Sequence, residues 1–240
     1  NYQTKKEVGL IDFETISQGS DKIKQKIISL KKDDIKYAIV DTTNNKEFDA
    51  ICEGIKDLPF LTGGSGIALG LPKIYKNKGL LSENNFDLPQ NNSNSVILSG
   101  SCSRATLEQI NIYKVNNPSF YISPDEVMNN IKLVEEVYIW IKENESLSPL
   151  IYSSSDSNNV SAKQKQFGQE ILANKIEGFF EKISHKLVND SFGKFISAGG
   201  ETSGAIIKGL GVEELKIGKE ISPGVPALWS PNSSGNKPIS

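Results

Sequence analysis

Three short loops of this sequence could bind an anionic ligand, because each combines glycine with hydroxyl or thiol side chains. They are TGGSG at 62–66, SGSCS at 99–103 and AGGETSG at 198–204, and each follows a short apolar run. Glycine lets the backbone approach a ligand closely, and the N–H groups that open a following helix attract negative charge. In open parallel sheets such loops lie beyond the carboxyl ends of the strands, where ligands bind. The three loops therefore predict contacts with an anionic group such as a phosphate.

The loop AGGETSG has the most specific composition of the three. Gly199 and Gly200 permit a tight exit from the preceding strand, and Thr202 or Ser203 could cap the helix that follows. The role of Glu201 stays open between two interpretations. In the first, it contacts a ligand; because a carboxylate repels a phosphate, the contact would be to Mg²⁺, a ribose hydroxyl or a purine amine. In the second, it is only a solvent-facing acid at the start of a capped helix.

Cys102 and Arg104 could also take part in chemistry, although each has a simpler explanation. A catalytic thiol normally needs a histidine partner. The only histidine, His185, lies near the end of a long helical segment, where it complements the helix C-terminus. Arg104 is the only arginine in the sequence and could contact a nucleotide phosphate. The general preference of this sequence for lysine explains a single arginine equally well.

Composition and missing motifs exclude several functional classes. The 27 basic and 29 acidic residues give a net charge of −2, which does not suit a nucleic-acid-binding protein. Two cysteines and one histidine exclude a disulfide framework and a Cys/His zinc site. The sequence holds no GxxxxGKS/T, GxGxxG or HExxH motif and no long apolar run that could span a membrane. We therefore expect a cytoplasmic protein that takes small molecules, binds neither nucleic acid nor a membrane, and has no side-chain metal site.

The first part of the sequence predicts alternating helices and strands. The spacing of isoleucine and leucine predicts a helix over DKIKQKIISLKK, and KEFDAICEGIKD predicts a second helix with one apolar face. KYAIVD, at 36–41, has the composition of a buried parallel strand. PFLTG, at 59–63, predicts another strand, which leads into the first glycine loop.

The pattern of strands and helices resumes after a polar segment at 76–95, which has the composition of a linker or exposed loop. Strands are predicted at SVILSG, SFYIS, PLIYSSS and KFISAGG, and ELKIG and ISPGVPAL follow near the end of the sequence. Helices are predicted after SGSCS, from Ser123 to about Glu143, from about Ser161 to Val188, and after AGGETSG. The expected fold is α/β, with a mostly parallel sheet flanked by helices.

Taken in order, five segments resemble the four-carbon acid sugar kinase family: KYAIVDTTNN, LTGGSGIALGL, VILSGSCSRATLEQI, FISAGGETSGAIIKGLGV and IGKEISPGVPAL. Members of this family use ATP to phosphorylate 3-oxo-tetronate, D-erythronate or L-threonate. They have an N-terminal substrate domain and a C-terminal nucleotide domain, both α/β. The resemblance implies that residues 1–75 form the end of the substrate domain, 76–95 the linker and 96–240 the nucleotide-binding domain.

The same resemblance implies a nucleotide site built from two of the glycine loops. It assigns the ATP contacts to Ser99, Gly199, Gly200, Glu201 and Thr202. Glu201 thereby becomes a nucleotide contact, to a hydroxyl or through Mg²⁺, and Mg²⁺ is expected with ATP rather than from any ligand set in the sequence. The loop on the substrate side consists of Gly63, Gly64, Ser65 and Gly66. No catalytic residue is identified.

Two segments of the family pattern are absent from the sequence: D-D-x-T-G near the start of the substrate domain, and K-S-G-N-F-G after Gly-Val-Pro. The chain also begins at Asn1 and ends in SPNSSGNKPIS, where no helix or strand is predicted. We therefore expect a fragment of a kinase, with its catalytic base and most contacts to the acid outside the chain. Two alternatives stay open, a non-catalytic module that binds a nucleotide or a sugar acid, and an unrelated α/β enzyme that acts through Cys102.

Overall fold

The computed structural model describes residues 4–82, 87–154, 157–235 and 238–240, and for 157–161 it describes the backbone alone. The chain divides into two units, Asn1–Asn85 and Phe86–Ser240. Each unit is α/β and has its own cluster of buried apolar side chains. No helix in the described ranges is long and apolar enough to cross a membrane.

The first unit combines two short strands with helices that pack on one face of them. In chain order its elements are β1 (Val8–Ile11), α1 (Phe13–Ser17), α2 (Ser20–Lys32), β2 (Tyr37–Val40), α3 (Glu47–Ile55), a 3₁₀-helix (Ser65–Leu69) and α4 (Leu71–Asn77). The helices predicted over DKIKQKIISLKK and KEFDAICEGIKD are confirmed as α2 and α3. Their apolar faces meet β1 and α1 in one cluster, which consists of Ile11, Ile16, Ile23, Ile51 and Ile55.

The strand predicted at KYAIVD is present as β2, but the prediction that it is buried is wrong. β2 pairs in parallel with β1, so that Leu10 lies opposite Ile39. These side chains are 49% and 61% exposed. A parallel strand is buried when helices cover both faces of its sheet. In the described part of this unit, the helices cover only the face that carries Ile11.

The prediction of a strand at PFLTG is wrong. Residues 56–64 form turns and irregular backbone, and Phe60 is 78% exposed. Pro59 has no N–H to donate to a neighbouring strand, and a run this short forms a strand only where a partner strand lies beside it. Apolar composition alone did not distinguish a strand from an exposed loop here.

The second unit is built around a parallel sheet. Its elements up to the last strand of that sheet are β3 (Asn94–Ser99), α5 (Arg104–Tyr113), β4 (Ser119–Tyr121), α6 (Pro124–Asn129), α7 (Leu133–Glu143), a 3₁₀-helix (Glu145–Leu147), β5 (Leu150–Tyr152), α8 (Ser157–Phe167), α9 (Gln169–Val188) and β6 (Phe192–Ala198). The strand order is β4-β5-β3-β6, and all three pairings are parallel. The next helix, α10 (Gly200–Leu210), packs against α9. The predicted α/β fold with a mostly parallel sheet is confirmed.

The helix predicted from Ser123 to about Glu143 is two helices, α6 and α7. It starts as expected, because Ser123 and Glu126 each bond the other's backbone N–H in a capping box. It stops at two adjacent asparagines, and Ile131 beyond them is 97% exposed. Asparagine competes with helical hydrogen bonding through its own side chain. The apolar spacing continues across the break, so the sequence pattern did not reveal it.

The helix predicted from about Ser161 to Val188 is likewise divided, into α8 and α9. Gly168 separates them with a φ of 86°. A left-handed glycine is a common way to end an α-helix, because glycine has no side chain to oppose that conformation. The prediction of a single helix was therefore wrong at this glycine.

The chain continues after α10 as an antiparallel hairpin, β7 (Lys216–Ser222) and β8 (Val225–Trp229). ELKIG, for which the sequence predicts no element, ends in the first residues of β7. The last residues, predicted to form no strand, contain one bridge between Ser230 and Ile239. Ser240 then donates its backbone N–H to the Gly193 carbonyl at 2.9 Å. The C-terminal residues thus lie along β6.

The segment predicted as a linker, 76–95, is in part structured. Its first two residues belong to α4 and its last two to β3. Leu80 is 68% exposed, whereas Asn91 donates its amide to the Gly193 carbonyl at 2.9 Å in the second unit. Residues 83–86 lie outside the described ranges. The domain boundary itself stays a prediction.

Candidate functional site

Two of the glycine loops leave neighbouring strands at the same edge of the second unit's sheet. β3 and β6 are parallel, and Ser99 is paired with Ala198 at their carboxyl ends. Beyond this pair, the N–H groups of Gly100 and Ser101 both donate to the Ala198 carbonyl, each at 3.1 Å. The structure therefore brings SGSCS and AGGETSG together, as expected for a shared site.

The N-terminus of α10 opens onto this edge without a side-chain cap. Its N-cap is Gly199, in the left-handed region with a φ of 118°, and the helix begins at Gly200. The prediction that Thr202 or Ser203 caps the helix is wrong, because both lie within its first turn. The first N–H groups of a helix have no acceptor inside the helix. They carry partial positive charge that an anion can satisfy.

Close packing between the loops explains why glycine is required at two positions. A Cβ built on Gly100 would collide with Thr202 Oγ1, and a Cβ on Gly199 would lie 3.2 Å from the Ser101 nitrogen. Gly200 differs, because a Cβ there would meet nothing within 4 Å. The space in front of Gly200 is thus open to a ligand.

Hydroxyl groups line the loop that follows β3. The Ser103 hydroxyl caps α5 by accepting a bond from the Thr106 N–H at 3.2 Å. The Thr106 hydroxyl donates to Ser101 Oγ at 3.2 Å. SGSCS is therefore a tight helix-capping turn. Ser101 also lies beside the N-terminus of α10, because a Cβ on Gly199 would lie 3.2 Å from the Ser101 nitrogen and 3.4 Å from its Cβ.

Ser99 is buried rather than facing solvent. It is 1% exposed, and its hydroxyl lies 3.0 Å from the hydroxyl of Ser154, which is 4% exposed. Ser154 follows β5, on the side of β3 away from β6. Sequence reasoning missed Ser154, although the serine run after PLIY was a signal that a third strand ends at this edge with polar side chains.

The charged side chains near these loops face outward. Glu201 is exposed in the first turn of α10. Arg104 is exposed and its Nε donates to a carboxylate oxygen of Glu108 at 2.9 Å, so the structure pairs it with its own helix. In the described ranges, no three His, Cys, Asp or Glu side chains are grouped to hold a metal ion. The N–H groups that open α10 supply partial positive charge at this edge.

The structure gives no support to a Cys102–His185 pair. His185 Nδ1 lies 3.3 Å from the carbonyl oxygen of Gly209, near the C-terminal end of α10. Cys102 belongs to the loop beside the opposite end of that helix, and nine residues of α-helix separate these ends by about 13 Å. A cleft of about 360 Å³ lies beside His185, lined also by Lys182, Lys208 and other residues of α9 and α10.

The third glycine loop belongs to the first unit. A Cβ on Gly63 or Gly64 would meet nothing within 4 Å, whereas one on Gly66 would lie 2.9 Å from the Phe48 ring. Ser65 opens the 3₁₀-helix. The assignment of this loop to the substrate side stays a prediction.

The loop after β2 is held together by one carboxylate, that of Glu47. It accepts bonds from the Thr43 N–H at 2.7 Å, the Thr43 hydroxyl at 2.8 Å and the Asn44 amide at 2.6 Å. The bond from the Thr43 N–H above all, and that from the Thr43 hydroxyl, hold the pKa of Glu47 below its usual range. Asn44, Asn45 and Lys46 line an open cleft of about 590 Å³ beside it.

Comparison with known families matches both units of the chain. Residues 96–239 match the model of a nucleotide-binding C-terminal domain. Residues 1–71 match the model of a sugar-binding N-terminal domain. The first match contains both glycine loops of the sheet edge.

Curated relatives of the chain include several 3-oxo-tetronate kinases. The one from Burkholderia multivorans is 35% identical over 227 residues, which are 94% of this chain and 53% of the relative. The one from Pseudomonas savastanoi pv. phaseolicola is 35% identical over 241 residues, 99% of this chain and 55% of the relative. The chain thus spans about half the length of the curated relatives it matches.

Solved structures give the same fold. A crystal structure of a Haemophilus influenzae protein matches with a TM-score of 0.63 and 31% identity, over 94% of this chain and 55% of the other. A Salmonella typhimurium protein matches with a TM-score of 0.73 and 27% identity, over 97% of this chain and 55% of the other.

Proposed function

The chain belongs to the four-carbon acid sugar kinase family, and we propose that its second unit binds ATP at the edge where β3 and β6 end. The observation that carries this proposal is the uncapped N-terminus of α10 beside the loop after β3. An anion there gains the helix dipole and the unpaired N–H groups of the first turn.

The residues at this edge fit the phosphates of a nucleotide. The N–H groups of Gly200, Glu201 and Thr202 would bind phosphate oxygens, because they open α10. Gly199 allows the strand to turn sharply into the helix, and the open space at Gly200 admits a charged group. Ser99 is buried, so in our proposal it shapes the loop rather than lying in the open.

Mg²⁺ enters the proposal with ATP. In kinases this ion is usually held by one or two carboxylates together with the phosphates, and it keeps several waters. Glu201 is exposed in the first turn of α10 and could supply one carboxylate, or accept a bond from a ribose hydroxyl. Mg²⁺ would supply charge neutralisation for the phosphoryl group that is transferred.

We further propose that the acceptor is the terminal hydroxyl of a four-carbon sugar acid of the 3-oxo-tetronate, erythronate or threonate type. The match of residues 1–71 to a sugar-binding domain and the names of the relatives support this class. In this proposal 1–75 belong to the substrate domain, with Gly63, Gly64, Ser65 and Gly66 on the substrate side, and 96–240 to the nucleotide domain. Phosphoryl transfer depends mainly on positioning and charge stabilisation, so the protein's part is to hold the two substrates in line.

The proposal is tested by incubating a version of the protein that has the full length of its curated relatives with ATP, Mg²⁺ and each acid in turn, and by following phosphorylated acid and ADP with ³¹P NMR. Formation of both products with one of the acids is the expected result. ATP binding without product for any acid would favour the second candidate for this chain, a non-catalytic module that binds the nucleotide or the acid. Absence of ATP binding would contradict the kinase and a nucleotide-binding module, and it would leave only a module that binds the acid.

A further inference from the structure

Ser99 and Ser154 form a buried pair of hydroxyl groups at the carboxyl ends of β3 and β5. Their oxygens are 3.0 Å apart, and both residues are almost fully buried, at 1% and 4% exposure. The Ser99 carbonyl also accepts bonds from the Ser153 N–H at 2.9 Å and from the Ser154 hydroxyl at 3.4 Å. Ser154 therefore holds both the side chain and the backbone of Ser99.

The other side of Ser99 leads directly to the α10 edge. Gly100 and Ser101 donate their N–H groups to the Ala198 carbonyl. Gly100 lies against Thr202 Oγ1, and Ser101 lies against Gly199. A shift of Ser99 would therefore move the two residues that pack on the start of α10.

Burial decides how Ser99 can act. A hydroxyl that is 1% exposed and already paired has little access to a ligand. A buried hydroxyl that loses its partner is costly, so the strand end would rearrange to satisfy it. The burial and the pairing of the Ser99 hydroxyl both favour an indirect role for Ser99, in which the hydroxyl pair fixes where β3 ends.

We propose that Ser154 is a positioning residue of the nucleotide site, whose hydroxyl holds Ser99 and, through it, the loop that packs on Thr202. This inference rests on the proposed ATP site. It adds a third strand end, that of β5, to the two that carry the glycine loops. It also predicts that Ser99 and Ser154 act as one unit.

The same two strands provide a matched control at their other ends. Ser95, in β3, and Ser148, which precedes β5, also have paired hydroxyls, 2.5 Å apart. Ser95→Ala therefore breaks a serine pair between the same segments, one that is partly rather than fully buried and lies at the edge away from α10. A merely structural role for Ser154 predicts similar behaviour for both substitutions.

The experiment is calorimetric titration of MgATP into the full 240-residue chain, with Ser154→Ala, Ser99→Ala, the double variant and Ser95→Ala. Thermal unfolding identifies a temperature at which all are folded. We expect Ser154→Ala and Ser99→Ala each to lower the affinity for ATP about tenfold. The double variant should bind ATP as well as the single variant with the lower affinity, and Ser95→Ala should bind ATP normally. If Ser154→Ala does not fold, Ser154→Cys replaces it, since a thiol of similar size bonds weakly, and it should show the same loss.

Normal ATP affinity in folded Ser154→Ala or Ser154→Cys would overturn the inference and leave the ATP site intact. Equal losses in Ser95→Ala and Ser154→Ala, or additive losses in the double variant, would also overturn it. Failure of the unsubstituted chain to bind ATP would instead contradict the proposed function on which the inference rests.

Discussion

The hydroxyl oxygen of Thr202 occupies the place where a side chain on Gly100 would begin. The two residues belong to loops that leave adjacent parallel strands, and this contact fixes the distance between those loops. A residue with a Cβ at position 100 cannot keep that distance. The glycine in SGSCS is thus required by the neighbouring loop, independently of any ligand.

We therefore expect Gly100→Ala to destabilise the second unit by about 1–3 kcal/mol, the usual cost of overpacking a close contact. Thr202→Ala removes the colliding oxygen, so the double variant should be more stable than the sum of the single effects predicts. Urea unfolding, monitored by circular dichroism, gives the free energy of unfolding of the unsubstituted chain, the two single variants and the double variant. Strict additivity would mean that the two residues are not in contact.

The packing of α10 on α9 predicts opposite effects for two glycines of the same helix. A Cβ on Gly209 would collide with the Glu181 carbonyl oxygen, whereas one on Gly204 would meet nothing within 4 Å. Gly209→Ala should therefore lower stability by about 1–3 kcal/mol. Gly204→Ala should raise it by up to about 1 kcal/mol, because alanine favours the helix. A Gly209→Ala variant with an unchanged melting temperature would contradict this packing.

Glu47 should make the first unit sensitive to acid. Its pKa is lowered in the folded chain, first by the Thr43 N–H. Its stabilising effect is therefore complete above the ordinary value of 4.5 and is lost as the pH falls through the lower folded value. Between pH 7 and pH 3, the melting temperature should fall less in Glu47→Gln than in the unsubstituted chain. Glu14→Gln, at an exposed position of the same unit, serves as the control, and an equal fall in all three proteins would exclude this role.

The boundary between the units should be the first site of limited proteolysis. Leu80 and Leu81 are 68% and 46% exposed, while Asn91 is bonded to Gly193 and Ser240. A protease of broad specificity should cut close to residues 78–82 and leave a fragment that contains the second unit. Mass spectrometry of the early products identifies the cut. First cuts within 87–93 would contradict this boundary.

The strands and glycine loops of the second unit could be predicted from the sequence because local signals mark them. Short apolar runs end in glycine and serine at β3 and β6, and the rule for parallel sheets then brings their ends together. Helix breaks could not be predicted in the same way. The apolar spacing runs through Gly168, and only the backbone conformation there shows that the helix ends.

In the candidate site, too, only the features marked by local sequence signals could be predicted. The approach of Ser99 to the loop 199–202 followed from the rule for the ends of parallel strands. The burial of Ser99 against Ser154 also depends on β5 being the other neighbour of β3, which the sequence pattern did not predict. Sequence reasoning also treated Gly199 and Gly200 alike. In the structure Gly199 alone has the positive φ, and Gly200 is helical with open space around it. A contact between distant segments decides which glycine serves the fold and which is free for a ligand.

The most direct test of the ATP site is calorimetric titration of MgATP into the chain, Gly200→Val and Thr202→Ala, with thermal unfolding alongside. A Cβ at position 200 meets nothing within 4 Å, so we expect Gly200→Val to stay folded while its side chain fills the space that a phosphate needs. We predict that the unsubstituted chain binds ATP and that Gly200→Val shows no measurable binding. Thr202→Ala keeps its backbone N–H and loses only the hydroxyl that packs on Gly100, so its affinity should fall by no more than roughly fivefold. Near-normal ATP affinity in folded Gly200→Val would mean that the start of α10 does not hold the phosphates, and it would contradict the account.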